Sequence, residues 1–200
     1  MAGRRIALVL DGDTDGIAAH VSETASGLIA RGDRVTIVGP AADAVLSDTG
    51  ARFLNVEIPS GVHLLGDAKA VWALRSAMRG PAGGAPDVVH AFGPRAGLAA
   101  LLSKSKNVPL VVSWWKDVEV DSSGAVPRVL GQADRAVARG ADVCLCATSD
   151  LVPGVLRMGA RDARHLESTV REPAGSGAPG IENADPVDRL DAVYRELTGY

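Results

Sequence analysis

Carboxylates alternate with small residues in Asp11-Gly12-Asp13-Thr14-Asp15-Gly16, directly after the short apolar run Ile6 to Leu10. Glycines there let a ligand approach the backbone, and the first amides of a following helix would offer partial positive charge. The carboxylates repel a phosphate unless one turns away or a metal intervenes. The spelling is not the G-x-G-x-x-G dinucleotide signature. It is similar to the opening of a calcium-binding hand loop, but the twelfth position is Ser22 instead of Glu and a strand comes first, so the ligand set is incomplete. The alternative is a solvated turn whose Asp side chains accept from helix amides.

Two histidines can join that loop. His20 falls one helical turn after Gly16, and His90 closes the apolar run Val88-Val89-His90 near the edge that presents the loop. Each is either ligand-facing or packed, since a neutral imidazole hydrogen-bonds in both settings. Trp114 and Trp115, followed by Lys116, end another apolar run. Their ring faces suit stacking on a sugar or another ring, and equally suit covering a helix or anchoring an interface. Lys116 either attracts an anionic group or is only solvated. Ser149 sits in no G-x-S-x-G elbow and reads as a helix cap, with Thr148 as the other choice. Cys144 and Cys146 would point to the same face of a strand about 6.5–7 Å apart, poor geometry for a disulfide, so they read as buried free thiols. No P-loop, H-E-x-x-H or C-x-x-C spelling occurs, so no catalytic residue, cofactor or metal is assigned.

What positions these residues is an alternation of strands and helices. The expected order is strand 6–10, helix 17–30, strand 35–38, a weak helix 41–47, strand 52–58 and helix 67–78. It continues with strand 87–91, helix 94–102, strand 110–113 and a loop over 114–124. Helix 126–139, with Val129, Leu130, Ala133, Ala136 and Val137 on one face, is followed by strand 142–147, helix 151–158 and strand 164–167. Continuous apolar strands separated by helices specify a Rossmann-like α/β fold: three layers, a parallel sheet with helices on both faces. Residues 171–185 are rich in Gly and Pro and read as a tether. Residues 186–200 form a closing helix, capped by Asn183 or Asp185 and carrying one apolar face, Val187, Leu190, Val193, Tyr194 and Leu197, which needs a surface to cover.

With 200 residues the chain is expected to hold one substantial domain, over 1–170. A net charge of −3 provides no field to gather nucleic acid or an anionic membrane. No apolar run approaches the roughly 18 residues of a spanning helix, and five apolar residues after Arg5 are too few for a signal peptide, so a cytoplasmic protein is expected.

Over about residues 4–170 the chain resembles the N-terminal, acceptor-side domain of the retaining two-domain GT-B glycosyltransferases of the family 4 type. Arg5 to Val9 with Asp15-Gly16-Ile17-Ala18-Ala19-His20-Val21 is similar to the family's first strand and glycine-rich loop. Leu28 to Val35 resembles "L-x-x-x-G-H-x-V" with Asp33 at the histidine position, and Pro86 to Gly93 resembles "P-D-V-V-H-x-H" with Phe92 at the second histidine. Pro109 to Ser113 is similar to "P-x-V-x-T", with Trp115 where a histidine often follows, and Ala141 to Ser149 resembles "A-D-x-x-x-x-x-S".

The resemblance implies a sugar or lipid-linked sugar acceptor beside Asp15, Gly16, His20, His90, Trp115 and Lys116. In such enzymes the nucleotide-sugar donor is held mainly by a second domain, for which 200 residues leave no room. The expectation is therefore an acceptor-binding, glycosyltransferase-like pseudoenzyme without independent catalysis. The alternatives are half of a split transferase completed by a donor-domain protein or a second copy, and an interaction module that binds no sugar.

Overall fold

The computed structural model describes residues 3–11, 17–40, 49–58, 64–79, 84–115, 125–166 and 185–199. The acidic loop 12–16, the weak helix expected at 41–47, the loop 116–124 and the tether up to residue 184 lie outside them.

Seven strands form one parallel sheet: β1 (Arg5–Leu10), β2 (Arg34–Gly39), β3 (Arg52–Asn55), β4 (Val88–Phe92), β5 (Leu110–Trp114), β6 (Val143–Cys146) and β7 (Ala163–His165). Their order is β3-β2-β1-β4-β5-β6-β7. The chain starts in the middle, builds outward to β3, then returns to β4 and builds the other way. Such a reversal between β1 and β4 opens a crevice at the carboxyl ends of those strands.

Three aspartates that directly precede strands fix the sheet's amino edge. Asp33, before β2, accepts the Arg4 backbone N–H at 3.0 Å. Asp87, before β4, accepts that of Arg5 at 2.8 Å, and Asp142, before β6, that of Leu110 at 2.8 Å. Each carboxylate satisfies an amide at the start of the neighbouring strand and so helps pin the register. The P-D-V-V and A-D spellings thus have a structural cause here.

Right-handed crossovers put the helices that follow β1 and β4 on opposite faces. α2 (Leu64–Arg79), α3 (Pro94–Ser103), α4 (Ala125–Gly140) and α5 (Leu151–Arg157) share one core with Ala7, Val9, Ala91, Val112 and Cys144. α1 (Ile17–Ala30) lies on the other face. Phe92, Val111 and Leu145 also look to that second face, beyond the strands α1 serves. α6 (Pro186–Thr198) returns across the molecule and covers them with Val187, Leu190, Val193 and Tyr194. Each such side chain removed from water contributes about 1.5–3 kcal/mol. Gly27 of α1 lets the two helices close, since a Cβ there would lie 2.9 Å from both methyls of Val187.

Asp185, one of the two expected caps, accepts the Val187 N–H at 3.0 Å, and Pro186 occupies the first turn. At α5 the structure corrects the expectation: the cap position is Asp150, with no side-chain cap bond, and neither Ser149 nor Thr148 occupies it. The Thr148 hydroxyl instead bonds the Asp150 carboxylate and lowers its pKa.

α4 differs too. Val137 and Ala138 are buried, but Leu130 and Ala136 are exposed.

Candidate functional site

β1, β4 and β5 end side by side at the carboxyl edge, where rings from β4, from α1 and from the residue after β5 build an aromatic row. Trp115 follows β5, His20 projects from α1, and their rings meet edge to face at 4.9 Å. His20 also meets Phe92 edge to face at 5.9 Å, and Phe92 stacks on His90 at 4.2 Å. His90 is inside the protein. Its Nδ1 lies 2.6 Å from the Tyr194 hydroxyl of α6, and its Nε2 lies 2.7 Å from Ser113 Oγ of β5.

The sequence brings these groups together by register. His90 is paired with Val111 and Phe92 with Ser113, so Ser113 stands one step along β5 on the face His90 shares. After Phe92 the chain turns at Gly93, whose φ of +95° few side chains tolerate, and Pro94 begins α3 at once. Phe92, at the second-histidine position of the resembled motif, is fully buried between the two histidines.

Burial dominates the electrostatics. It lowers the pKa of His90 to about 3, with a small further push from His20, so the ring is neutral at physiological pH. With one N–H and one lone pair, a neutral ring matches two hydroxyls that can each donate or accept. His20 is also shifted down by burial, against a weaker opposing pull from Glu23. The Tyr194 phenol is pushed up by burial, which outweighs the field of Arg4.

Behind Tyr194 lies a buried charge cluster. Arg4 donates to Asp33 through Nε at 3.2 Å and a terminal nitrogen at 2.6 Å, and also to the Asp191 carboxylate of α6. Burial opposes charge on Arg4, but the hydrogen bonds of the two aspartates outweigh it and raise its pKa. Asp33, where the resembled motif has a histidine, is thus a structural counter-ion.

His20, Ser113 and Trp115 also line a cleft of about 20 Å³ with Thr24, Leu166 and Val187. That is room for a water molecule and not for a sugar ring. Among the described residues the buried Trp115 Nε1–H has no hydrogen-bond acceptor. Of the six residues expected at the site, the structure brings His20, His90 and Trp115 together; Asp15, Gly16 and Lys116 fall outside the described residues.

Of the partners of His90, Tyr194 carries no motif that marks it, and Ser113 stands at the last position of the run similar to P-x-V-x-T. Ser113 was legible only as the end of a strand, and Tyr194 only as one apolar position of the last helix. Cys144 and Cys146 are free, buried and part of the core. Burial pushes their thiols up to about 12 and about 11. Among the described residues no helix is long and apolar enough to cross a membrane.

No curated protein matches the sequence. Solved structures do. A sucrose-phosphate synthase structure from Thermosynechococcus elongatus is 12% identical with a TM-score of 0.64, over 97% of this chain and 99% of that one. Anabaena HepE, in complex with UDP and glucose, is 13% identical with a TM-score of 0.61, over 83% of this chain and 44% of that one. The lipopolysaccharide outer core galactosyltransferase WaaB is 15% identical with a TM-score of 0.60, over 82% and 45%. This chain thus spans about half the length of several structures it matches, and the likeness is to one α/β unit of the GT-B fold. Residues 15–166, from the acidic loop to the end of β7, match the glycosyl transferase 4-like domain, and the chain belongs to that family.

Proposed function

We propose that this chain supplies the acceptor-side half of a sugar-transferring site. It binds a sugar or lipid-linked sugar at the carboxyl edge of its sheet and does not transfer sugar alone. The observation that carries the reading is the Trp115–His20 pair at the end of β5, in a member of the glycosyl transferase 4-like family. An indole is an apolar platform on which a sugar ring can stack. Asp15, Gly16 and Lys116 belong to the same proposal as groups flanking the acceptor.

The titratable groups favour binding over catalysis. A general base needs a free lone pair within reach of the acceptor hydroxyl. Both His90 ring nitrogens are engaged by protein hydroxyls, and burial opposes protonation of either histidine. The nucleotide-sugar donor is then held by a complementary unit, a donor-domain protein or a second copy. Closure of the two halves excludes water and assembles the groups that stabilise the departing diphosphate.

Calorimetric titration with glucose, mannose, N-acetylglucosamine and short-chain lipid-linked sugars tests the binding claim. Saturable heat with at least one of them is expected, lost in Trp115→Ala and kept in Trp72→Ala, where the ring is 72% exposed on α2. No heat with any acceptor, or equal heat in both variants, contradicts the proposal and favours an interaction module without sugar binding.

A further inference from the structure

The opposite edge of the sheet carries a second concentration of charge. Arg5, Arg34 and Arg52 are the first residues of β1, β2 and β3, which are adjacent. Register sets Arg5 directly beside Arg34, and Arg52 beside Thr36, two positions along β2. Strand residues alternate between faces, so Arg5, Arg34, Thr36 and Arg52 share one face. It is the face covered by α2, because Ala7, Val38 and Leu54, next in the same rows, pack in the core that holds Leu74 and Met78 of that helix.

Near the last turn of α2 this face opens into a cavity of about 340 Å³. The three arginines and Thr36 stand in its wall, with Leu54 and Met78 among its apolar residues. The size falls in the range of about 300–1,000 Å³ typical of small-molecule sites.

The nearby carboxylates are already committed. Asp33 holds Arg4, and Asp87 pairs with Arg5 at 2.8 Å. Arg34 reaches Asp87 only through its field, and the Arg34 and Arg52 guanidinium groups make no hydrogen bond or ion pair with a described residue. Arg34 therefore sits beside Arg5 and diagonal to Arg52 with no carboxylate of its own among the described residues. Like charges on neighbouring strands destabilise a sheet unless something offsets them. Planar guanidinium forks match the oxygens of a phosphate, and the apolar wall suits the remainder of an organic ligand.

We infer that this cavity is a binding site for an organic phosphate, its phosphoryl group held between Arg34 and Arg52 and its body against the apolar wall. The site lies at the amino edge of the sheet, away from the Trp115 edge, and does not depend on the proposed acceptor site. A soluble phosphate ester and a phospholipid headgroup share the chemistry.

The test uses the whole chain, with Arg34→Gln and Arg52→Gln singly and together. Both residues are exposed, so the variants fold. Inorganic phosphate and glucose 1-phosphate should raise the melting temperature in a saturable way. The double variant should lose that shift and bind about tenfold or more weakly. Without ligand its melting temperature should equal or exceed that of the parent, since a repulsion is relieved.

Flotation with phosphatidylcholine vesicles, with and without phosphatidic acid, separates the sources. Arginine-dependent flotation identifies a lipid headgroup, and a soluble shift without flotation identifies a free ester. Either supports phosphate recognition. No saturable shift together with no arginine-dependent flotation overturns the inference, as does an equal shift in parent and double variant.

Discussion

His90 and Tyr194, 104 positions apart in the chain, meet in a 2.6 Å hydrogen bond inside the protein. The bond joins the middle of the sheet to the last helix. Removing one partner leaves a buried polar atom of the other unsatisfied, which costs about 1–3 kcal/mol. Tyr194→Phe keeps the ring and removes only the hydroxyl, so a loss in that range is expected in chemical denaturation.

Neutral His90 also sets the direction of pH dependence. Its pKa in the folded state is about 3, against 6.5 for the free side chain. Between those values the unfolded chain takes up a proton that the native protein refuses, so stability rises with pH. One such group contributes a slope of up to about 1.4 kcal/mol per pH unit. The stability is therefore full above about pH 6.5 and falls steadily on acidification toward pH 3. His20, also shifted down, acts in the same direction. Denaturation midpoints measured across that window should decline with falling pH, and His90→Gln should flatten the decline. An unchanged slope in that variant would place the pH dependence elsewhere.

The Arg4 cluster gives a contrast between buried and exposed ion pairs. Asp191 is 5% exposed, and Asp191→Ala leaves a buried guanidinium with one carboxylate fewer. Breaking a buried pair on one side costs about 3–5 kcal/mol. Glu196 of the same helix pairs with Arg164 at the surface, at 2.7 Å. Glu196→Ala should change stability little, because water screens that pair. Unfolding curves of the two variants are the check.

Cys144 and Cys146 should resist thiol reagents in the native protein. Their thiols are buried and shifted up to about 12 and about 11, so little thiolate exists at neutral pH. Labelling should be slow in buffer and complete in denaturant. Fast native labelling would mean that the core shared by α2 to α5 opens readily at β6.

The succession of strands and helices along the chain and the parallel sheet were readable because buried strands are largely apolar and the helices between them have their own period. Strand ends were less so. Val56 and Ile58 are buried while the β3 residues before them are half-buried or exposed, yet β3 ends at Asn55, because burial does not distinguish ladder residues from covered loop. The face expected on α4 held in part, with Val137 buried and Ala133 half-buried but Leu130 and Ala136 exposed: periodicity finds a stripe but not how deeply each of its positions is covered. Leu130 belongs to the stripe and is exposed.

At the site, His20, His90 and Trp115 were readable from their places at strand ends and one turn into a helix. Tyr194, Ser113 and the Arg4–Asp33–Asp191 cluster were not. Their partners lie 23 to 187 positions away, and no local pattern records contacts made only when neighbouring strands pair or α6 folds back.

The central claim is that this chain binds an acceptor and leaves donor chemistry to a complementary unit. It is tested most directly by incubating the purified chain with a panel of labelled nucleotide-sugars and whichever acceptor gives calorimetric heat, then measuring labelled product. No product is expected from the chain alone, and product is expected once a donor-domain partner is added. Sugar transfer by the isolated chain would contradict the account.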